Sequence, residues 1–347
     1  MGKLEHASTA RPSARILINA IWFEFHSFFQ QQHAIIKRRL SSSLLWLKAP
    51  LDWDTASNTH KLLIDKLKMG EVGRRLYSLK RDFKHTPLLQ STLSMIHKLL
   101  SDTSTPWSIS IGHIIDRTPF AETGSDSCTG YGCGGFSAHL QFWYGLTWSD
   151  QILRRTKLNS KHPEYIHINA LEFVGSIISL AAVITRLHDL SKAPLPQHII
   201  NSLPLRLIPP NPSLQLTFDN TPTTSWATTL RAKSHNALPL VELLAALLDS
   251  TSIGIHPVYN PGVNHVIPDR ISRYKQFYSP DQSLFHSQVE QIDKRLTSFD
   301  IFLPSQDLLS LLSSRLLAHS PLGLPSIPEK LGRFAPASSI TYGFVEI

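Results

Sequence analysis

The sequence is short of cysteine, of charge and of long apolar runs, and each shortage argues against a class of protein. Two cysteines among 347 residues, Cys128 and Cys133, form no disulfide framework, so the composition favours a reducing compartment. Their Cys-x4-Cys spacing has no second pair and does not predict a structural zinc site. The most apolar run, residues 173–184, is shorter than the roughly 20 residues of a membrane-spanning helix. With no secretory signal pattern, we expect a protein of the cytoplasm, the nucleus or both, without a membrane partner.

Charged residues make up only 17% of the chain, and the excess of positive charge lies in its first third. Residues 1–105 carry 16 Lys and Arg against 8 Asp and Glu, whereas residues 106–347 carry 18 of each sign. A basic arm beside a neutral domain suits a polyanionic partner, because the arm supplies contacts to phosphates that do not depend on sequence. A solvated basic surface with no partner is the alternative.

Composition and periodicity divide the chain into three parts. In residues 1–105, apolar positions at helical spacing over 59–84 and 88–100 predict a basic, mainly helical arm. Residues 106–275 form the main domain. The tail, residues 276–347, is expected to contain one helix, within residues 303–312, followed by Pro-rich, weakly ordered chain.

The order of predicted elements in the main domain indicates an α/β fold. Alternating apolar residues and glycines predict three antiparallel strands, through Asp126, over 132–140 and over 142–148. A long helix follows from residue 168 to about 190, and then a strand that ends at Asp219. Two helices, a strand near 255–259 and a helix near Pro268 complete the series. Such an alternation predicts a mixed sheet flanked by helices.

Four acidic residues stand at the ends or beginnings of these elements: Asp126, Glu172, Asp219 and Asp269. Each alone has an ordinary explanation, as a turn residue, as an acid favoured near a helix start, or as a helix cap. A mixed sheet can bring all four to one edge. Carboxylates gathered there would repel one another unless a cation neutralised them, and hard divalent cations prefer carboxylate oxygen.

Several motifs in a set order resemble the ribonuclease H domain of reverse-transcribing retroelements, especially DIRS-like retrotransposons. The resemblance covers residues 107–273, about half of the chain, and residues 59–105 resemble the connecting helices that precede such domains. The matching segments are residues 115–119 (Ile-Asp-Arg-Thr-Pro), the glycine-rich run 126–135, residues 168–172 (Ile-Asn-Ala-Leu-Glu), residues 219–221 (Asp-Asn-Thr), and residues 261–264 (Pro-Gly-Val-Asn) leading to 269–273.

The resemblance implies a ribonuclease H-like fold with a five-stranded mixed sheet. It also implies that Asp126, Glu172, Asp219 and Asp269 are the catalytic, metal-binding acids, holding two Mg²⁺ ions, with Mn²⁺ as a substitute. The implied reaction is hydrolysis, by a metal-activated water, of the RNA strand of an RNA/DNA hybrid, with selection through the 2′-hydroxyl group and the minor groove. Contacts to the substrate are expected from Asn220, Thr221 and Asn264, whereas Trp226 is expected in the core.

Two departures from the family pattern leave other functions open. Tyr259 stands where the family usually has His before Pro-Gly, and Pro268 stands where Ala usually precedes the last acid. No Tyr-x-Asp-Asp motif is present in these 347 residues, so DNA synthesis is not expected of them. The chain resembles the C-terminal part of a retroelement polyprotein, and a reverse transcriptase polymerase domain is a possible partner. The alternatives are a decayed or repurposed retroelement remnant that only binds nucleic acid, and an integrase-like strand transferase. Four acids and the Asp-Asn-Thr motif argue against the strand transferase.

Overall fold

The computed structural model describes residues 118–192, 212–232, 237–251, 253–274, 284–318, 322–339 and 344–347, together with isolated positions before residue 102. The chain divides into two units, residues 17–102 and residues 1–16 with 103–347, and the fold below belongs to the second. The helix predicted over 59–84 lies outside the described residues. Described positions between 90 and 101 are helical.

The second unit is an α/β structure, as the order of predicted elements indicates. Its strands are β1 (Ala121–Ser127), β2 (Gly132–Ser137), β3 (Phe142–Thr147), β4 (Ser213–Phe218), β5 (Gly254–Tyr259), β6 (Asp300–Pro304), β7 (Gly332–Pro336) and β8 (Phe344–Glu346). Its α-helices are α1 (Asp150–Thr156), α2 (Ile168–Lys192), α3 (Thr221–Thr229), α4 (Leu238–Asp249), α5 (Val266–Ser272), α6 (Phe285–Ile292) and α7 (Gln306–Leu316).

Within the described ranges, the eight strands belong to one mixed sheet, in which seven follow the order β5-β4-β1-β2-β3-β6-β7. The meander predicted for β1, β2 and β3 is confirmed, and both of its pairings are antiparallel. Strand β4 lies parallel to β1 and β5 lies parallel to β4, since helices carry the chain back between them. Strands β6 and β8 both lie parallel to β3, along successive parts of its outer edge.

Helix α2 covers one face of the sheet and forms the centre of the larger hydrophobic core. The segment Ile168–Ser191 is long and apolar enough to cross a membrane by length and composition, although residues 173–184 alone had suggested otherwise. In the structure 78% of its apolar window is buried inside the protein, as in a core helix of a globular fold. Trp226 meets Phe173 of α2 edge to face at 5.8 Å and packs against this core, which confirms its predicted place.

Helices α5 and α6 cover part of the opposite face through a smaller apolar cluster. Trp143 of β3 is fully buried there, stacks on Phe285 at 6.1 Å, and donates a hydrogen bond from Nε1 to the main-chain oxygen of Leu296 at 3.1 Å. Buried Trp satisfies its only donor in this way. Ile271 of α5 belongs to the same cluster, so this packing fixes α5 against the sheet.

The prediction of five strands is wrong in number, because the tail adds three. Strands β6, β7 and β8 lie within residues 276–347, where one helix and weakly ordered chain were expected; the helix is present as α7. The added strands have only three to five residues and two of them end in proline, so no period-2 pattern marks them. A buried ion pair of 2.7 Å between Arg315 of α7 and Glu242 of α4 ties the tail to the core.

Candidate metal centre

Three of the four predicted acids converge at one edge of the sheet. Asp126, Glu172 and Asp219 each offer one carboxylate oxygen, and these oxygens lie within 4.8 Å of one another. Asp126 is the last but one residue of β1, and Asp219 directly follows the parallel neighbour β4. Because parallel strands end at the same edge, the sequence places these two acids together. Glu172 lies in the second turn of α2 rather than in its first turn, where it was expected.

Small residues on β1 let α2 approach closely enough to bring Glu172 to the cluster. Ser127 donates a hydrogen bond to the main-chain oxygen of Leu171 at 2.9 Å, and the hydroxyl groups of Ser125 and Ser176 lie 3.3 Å apart. A Cβ atom added to Gly175 would lie 3.2 Å from the side chain of Ser125. The helix therefore rests directly on the strand that carries Asp126.

Two glycines give α5 the same close approach on the opposite face. A Cβ atom at Gly134 of β2 would lie 2.4 Å from Cγ2 of Ile271, and one at Gly124 of β1 would lie 2.7 Å from the ring of His265. Both distances are too short for an ordinary contact. A side chain at Gly124 or Gly134 would therefore collide with His265 or with α5, and only glycine permits this approach. This approach brings Ser272, at the end of α5, to within 2.9 Å of Asp126, measured from Oγ to Oδ2.

Burial and mutual repulsion raise the pKa values of two of the clustered acids. The pKa of Asp126 rises to about 7, mainly through burial and then through the negative charge of Asp219, while the hydrogen bond from Ser272 opposes the shift. The pKa of Glu172 rises to about 9 through burial and then through the charges of Asp219 and Asp126. Carboxylates behave in this way when like charges share a poorly solvated site, and a cation placed among them would reverse the effect.

The fourth predicted acid, Asp269, is not part of this cluster. It lies in α5, its side chain is 43% exposed, and Oδ1 accepts a hydrogen bond from Nε of Arg273 at 2.6 Å, one turn later on the helix. Its charge still contributes to the raised pKa of Asp126, so the two carboxylates are electrostatically coupled. The structure thus places Asp269 beside the cluster, with its carboxylate engaged by an arginine.

The three residues expected to contact substrate lie in different settings. Asn220 caps α3, since its Oδ1 accepts a hydrogen bond from the main-chain N–H of Thr223 at 2.7 Å, while its Nδ2 is buried without a hydrogen-bond partner. Thr221 begins α3 and is exposed. Asn264 is exposed and lines a cavity beside α5. Helix capping therefore explains the position of the side-chain oxygen of Asn220. The same explanation does not apply to Thr221 or Asn264.

Sequence reasoning missed three residues that hold the cluster in place. Ser272 contacts Asp126, Thr223 Oγ1 lies 3.5 Å from Glu172 Oε2, and buried His265 places Nε2 3.0 Å from the main-chain oxygen of Ser125. Because a carbonyl oxygen only accepts, Nε2 of His265 must donate. The spacing of Ser272 three residues after Asp269 was a usable signal, since residues at i and i+3 share a helix face. No local pattern marks the other two.

The donor set of the cluster suits a hard divalent cation. Three carboxylates at one edge offer oxygen ligands of the kind that Mg²⁺, Mn²⁺ and Ca²⁺ prefer, and no nitrogen or sulfur ligand is among them. Oxygen donors alone do not distinguish these ions. The hydrogen bond from Ser272 also orients the carboxylate of Asp126. Metal-binding side chains are commonly held in this way by a hydrogen-bonding partner.

The fold and the cluster together define an α/β protein with a mixed sheet and a buried acidic triad that could hold a metal ion. Comparison with protein-family models, with curated proteins and with solved structures gave no match. The functional argument therefore depends on the residues of this chain alone.

Proposed function

We propose that this protein is a divalent-cation-dependent ribonuclease that cleaves the RNA strand of RNA/DNA hybrids. The observation that carries the proposal is the convergence of Asp126, Glu172 and Asp219 on adjoining strand ends and a helix. Strands β1 to β5 form a five-stranded mixed portion of the sheet, of the kind that a ribonuclease H-like fold has, and β6 to β8 extend it.

Each side chain has a definite task in this proposal. Asp126, Glu172 and Asp219 would hold the cation, and the hydrogen bond from Ser272 orients Asp126. When bound, Mg²⁺ supplies charge stabilisation for the phosphate and lowers the pKa of a bound water. Arg273, half-exposed at the margin of the cluster, offers a guanidinium group to a phosphate oxygen of the substrate.

The preference for RNA in a hybrid comes from the resemblance in sequence and from the chemistry of the substrate. A 2′-hydroxyl group is both donor and acceptor, and it distinguishes the RNA strand within the wide minor groove of a hybrid. Thr221 and Asn264 are exposed polar residues and are our candidates for such contacts.

The test is cleavage of a hybrid whose RNA strand is labelled, with Mg²⁺ and with a chelator. Asp126→Asn and Asp219→Asn should each reduce the cleavage rate by more than about 100-fold. That value is the upper end of the loss seen when a residue that only supports a metal ligand is changed. Asp189→Asn, at a half-exposed site on α2, is the matched control and should leave the rate unchanged. Cleavage that survives the chelator or both cluster variants would exclude the proposal. An all-DNA duplex tests the strand-transfer alternative.

One observation favours a second function, nucleic-acid binding without cleavage. Asp269 is paired with Arg273 instead of facing the triad, which is what a site that no longer completes its ligand set would show. This candidate predicts hybrid binding that weakens steeply with salt and yields no product at any Mg²⁺ concentration. Mg²⁺-dependent turnover would rule it out.

A further inference from the structure

A cavity of about 310 Å³ lies on the α5 side of the sheet, separate from the acidic triad. The lining residues that bear on its chemistry are Glu122, Phe136, His139, Asn260, Asn264 and His265. Its volume is at the lower end of the roughly 300–1,000 Å³ typical of small-molecule sites, so it suits a group the size of a nucleobase or nucleoside.

The position of the cavity along β1 relates it to the proposed cleavage site. Glu122 and Asp126 are four residues apart on one strand and so lie on the same face, separated by roughly 13 Å at about 3.3 Å per residue. The ring of His265 occupies the space over Gly124 between them. At about 3.4 Å of axial rise per nucleotide, a bound strand would cover that separation in about four nucleotides.

The lining of the cavity disfavours an anion and offers strong acceptors. No lysine or arginine lines it, whereas Glu122 does, and His139 lines it at an exposed position. His265 donates through Nε2 to the main-chain oxygen of Ser125, so in the neutral ring the remaining nitrogen, Nδ1, is an acceptor. Burial lowers the pKa of His265, which favours that neutral ring. A phosphate is therefore a poor occupant, and a group rich in N–H donors is a good one.

The other lining groups complement a flat heterocycle. The side-chain amides of Asn260 and Asn264 supply donors as well as acceptors. Phe136 provides an apolar wall and is held in place by stacking on Phe299, with ring centroids 5.8 Å apart and planes 8° apart. A planar group with N–H donors on one edge and a carbonyl acceptor beside them matches this set.

We propose that this cavity binds an unpaired guanine base. Among the common bases only guanine presents two adjacent N–H donors, N1–H and N2–H2, to a single carboxylate, here Glu122. Its O6 atom accepts from an asparagine amide. That the guanine belongs to the strand being cleaved depends on the proposed function, whereas recognition of the base itself does not.

The surface around the cavity supports entry of a base from a nucleic-acid strand. Val266 lines the cavity and is 46% exposed, and Val263, three residues earlier, is 82% exposed. Exposed apolar side chains next to a polar pocket are common at ligand-binding surfaces.

The first experiment titrates the full chain, free of metal, with guanosine, adenosine, cytidine and uridine, and follows binding by calorimetry and by NMR. We expect guanosine to bind at least about tenfold more tightly than the others, the discrimination expected of a bidentate contact. Glu122→Gln should abolish that preference, since the amide presents a donor to N1–H or N2–H2. Glu290→Gln, at an exposed site on α6, should retain it.

Arginine is the competing ligand, because its guanidinium group also pairs with a carboxylate through two N–H donors. Equal affinity for all four nucleosides, an unchanged preference in Glu122→Gln, or tighter binding of arginine than of guanosine would each overturn the proposal. Asn264→Ala, at the exposed end of the short 3₁₀ helix Gly262–Asn264, should weaken guanosine binding and provides a second variant.

A second set of measurements identifies the source of the base. Hybrids with a single-stranded RNA extension carrying either guanine or adenine are compared by fluorescence anisotropy without metal. If the guanine extension binds more tightly and Glu122→Gln removes this difference, the cavity takes a base from the bound strand. If only free guanosine binds, the cavity is a site for a free nucleoside, and the assignment to the strand is wrong. Neither result depends on cleavage, so failure of the ribonuclease proposal would be seen separately.

Discussion

The hydroxyl group of Ser272 joins the helix that carries Asp269 to the first acid of the cluster, Asp126. Its Oγ lies 2.9 Å from Asp126 Oδ2 and 2.8 Å from the main-chain oxygen of Asp269. One hydroxyl proton serves one of these acceptors at a time. When Asp126 is protonated, it can donate to Ser272 while Ser272 donates to the carbonyl, so this contact persists in both protonation states of the acid.

Removal of that hydroxyl should alter the acid without unfolding the protein. Ser272→Ala deletes the hydrogen bond that holds the pKa of Asp126 down, so this pKa should rise further above about 7. We expect cleavage to fall by roughly 10- to 100-fold, with the pH profile of kcat/KM moved toward higher pH. Ser298→Ala, which removes an exposed hydroxyl from a helical turn, is the control. A lower rate with an unmoved pH profile would contradict this role.

The acidic cluster should make the metal-free protein less stable as pH rises. The pKa values of Asp126 and Glu172 are raised to about 7 and about 9, above their unfolded values near 4, so the folded state binds more protons across this interval. Their contribution to stability is therefore fully present below about pH 4 and is lost progressively as pH rises through 7 and 9.

Neutralising one acid should flatten that dependence. Asp219→Asn removes the charge that, after burial, most raises both pKa values, so the variant should have a higher free energy of unfolding than the wild type at pH 8. Each unit of pKa relieved is worth about 1.4 kcal/mol. Chemical denaturation from pH 5 to 9 measures the difference. Wild-type stability that increases over this range, or a variant that is less stable at pH 8, would contradict the argument.

The close approach of α5 to the sheet should depend on Gly134. An added Cβ atom would lie 2.4 Å from Cγ2 and 2.5 Å from Cβ of Ile271, so Gly134→Ala should displace α5 and separate Ser272 from Asp126. Overpacking of this kind costs about 1–3 kcal/mol of unfolding free energy. Gly130→Ala is the matched control, because its added Cβ atom meets nothing within 4 Å.

Partial recovery in a double variant distinguishes a steric cause from a general defect. Adding Ile271→Ala to Gly134→Ala removes Cγ2, the atom that the added Cβ atom would meet at 2.4 Å, so the double variant should lose less stability and less cleavage than the two single losses combined. Thermal unfolding and the cleavage assay measure both. Equal loss in Gly130→Ala, or no recovery in the double variant, would show that the close approach is not the cause.

Arg273 should contribute to nucleic-acid binding more than to stability. Its ion pair with Asp269 is about 40% exposed on both sides, and such pairs contribute less than about 1 kcal/mol. Arg273→Gln should therefore leave the free energy of unfolding nearly unchanged. It should reduce the slope of the logarithm of the hybrid-binding constant against the logarithm of salt concentration by about one. Arg273→Lys should preserve the salt dependence. An unchanged slope in Arg273→Gln would remove this residue from the proposed interface.

Much of the α/β core was predictable because its elements carry strong local patterns. The glycine-rich meander of β1 to β3, the long apolar helix α2 and the strand that ends before Asp219 were predicted close to their observed limits. The helix α1 was missed, since its seven residues bury only Ile152 and give little periodic signal. Short tail strands whose pairing partners are remote in sequence have no local signature at all.

The candidate site was predictable in composition but not in arrangement. Three acids could be placed together because parallel strands end at one edge. The engagement of Asp269 by Arg273 depends on side-chain orientation within one helical turn, which the sequence leaves open. The roles of Ser272 and His265 depend on how closely α5 approaches the sheet, and therefore on contacts between residues far apart in the chain.

The outer edge of β3 has a consequence for how this protein must be synthesised and folded. Its first residues pair with β6 and its last residues with β8, both of which emerge much later than β3 itself. Until then β3 presents unpaired main-chain groups, a template for association with other chains. Pairings so distant in sequence also form slowly. Nascent or truncated chains without residues 300–347 should therefore need a chaperone or aggregate, even though every acid of the cluster has already been made.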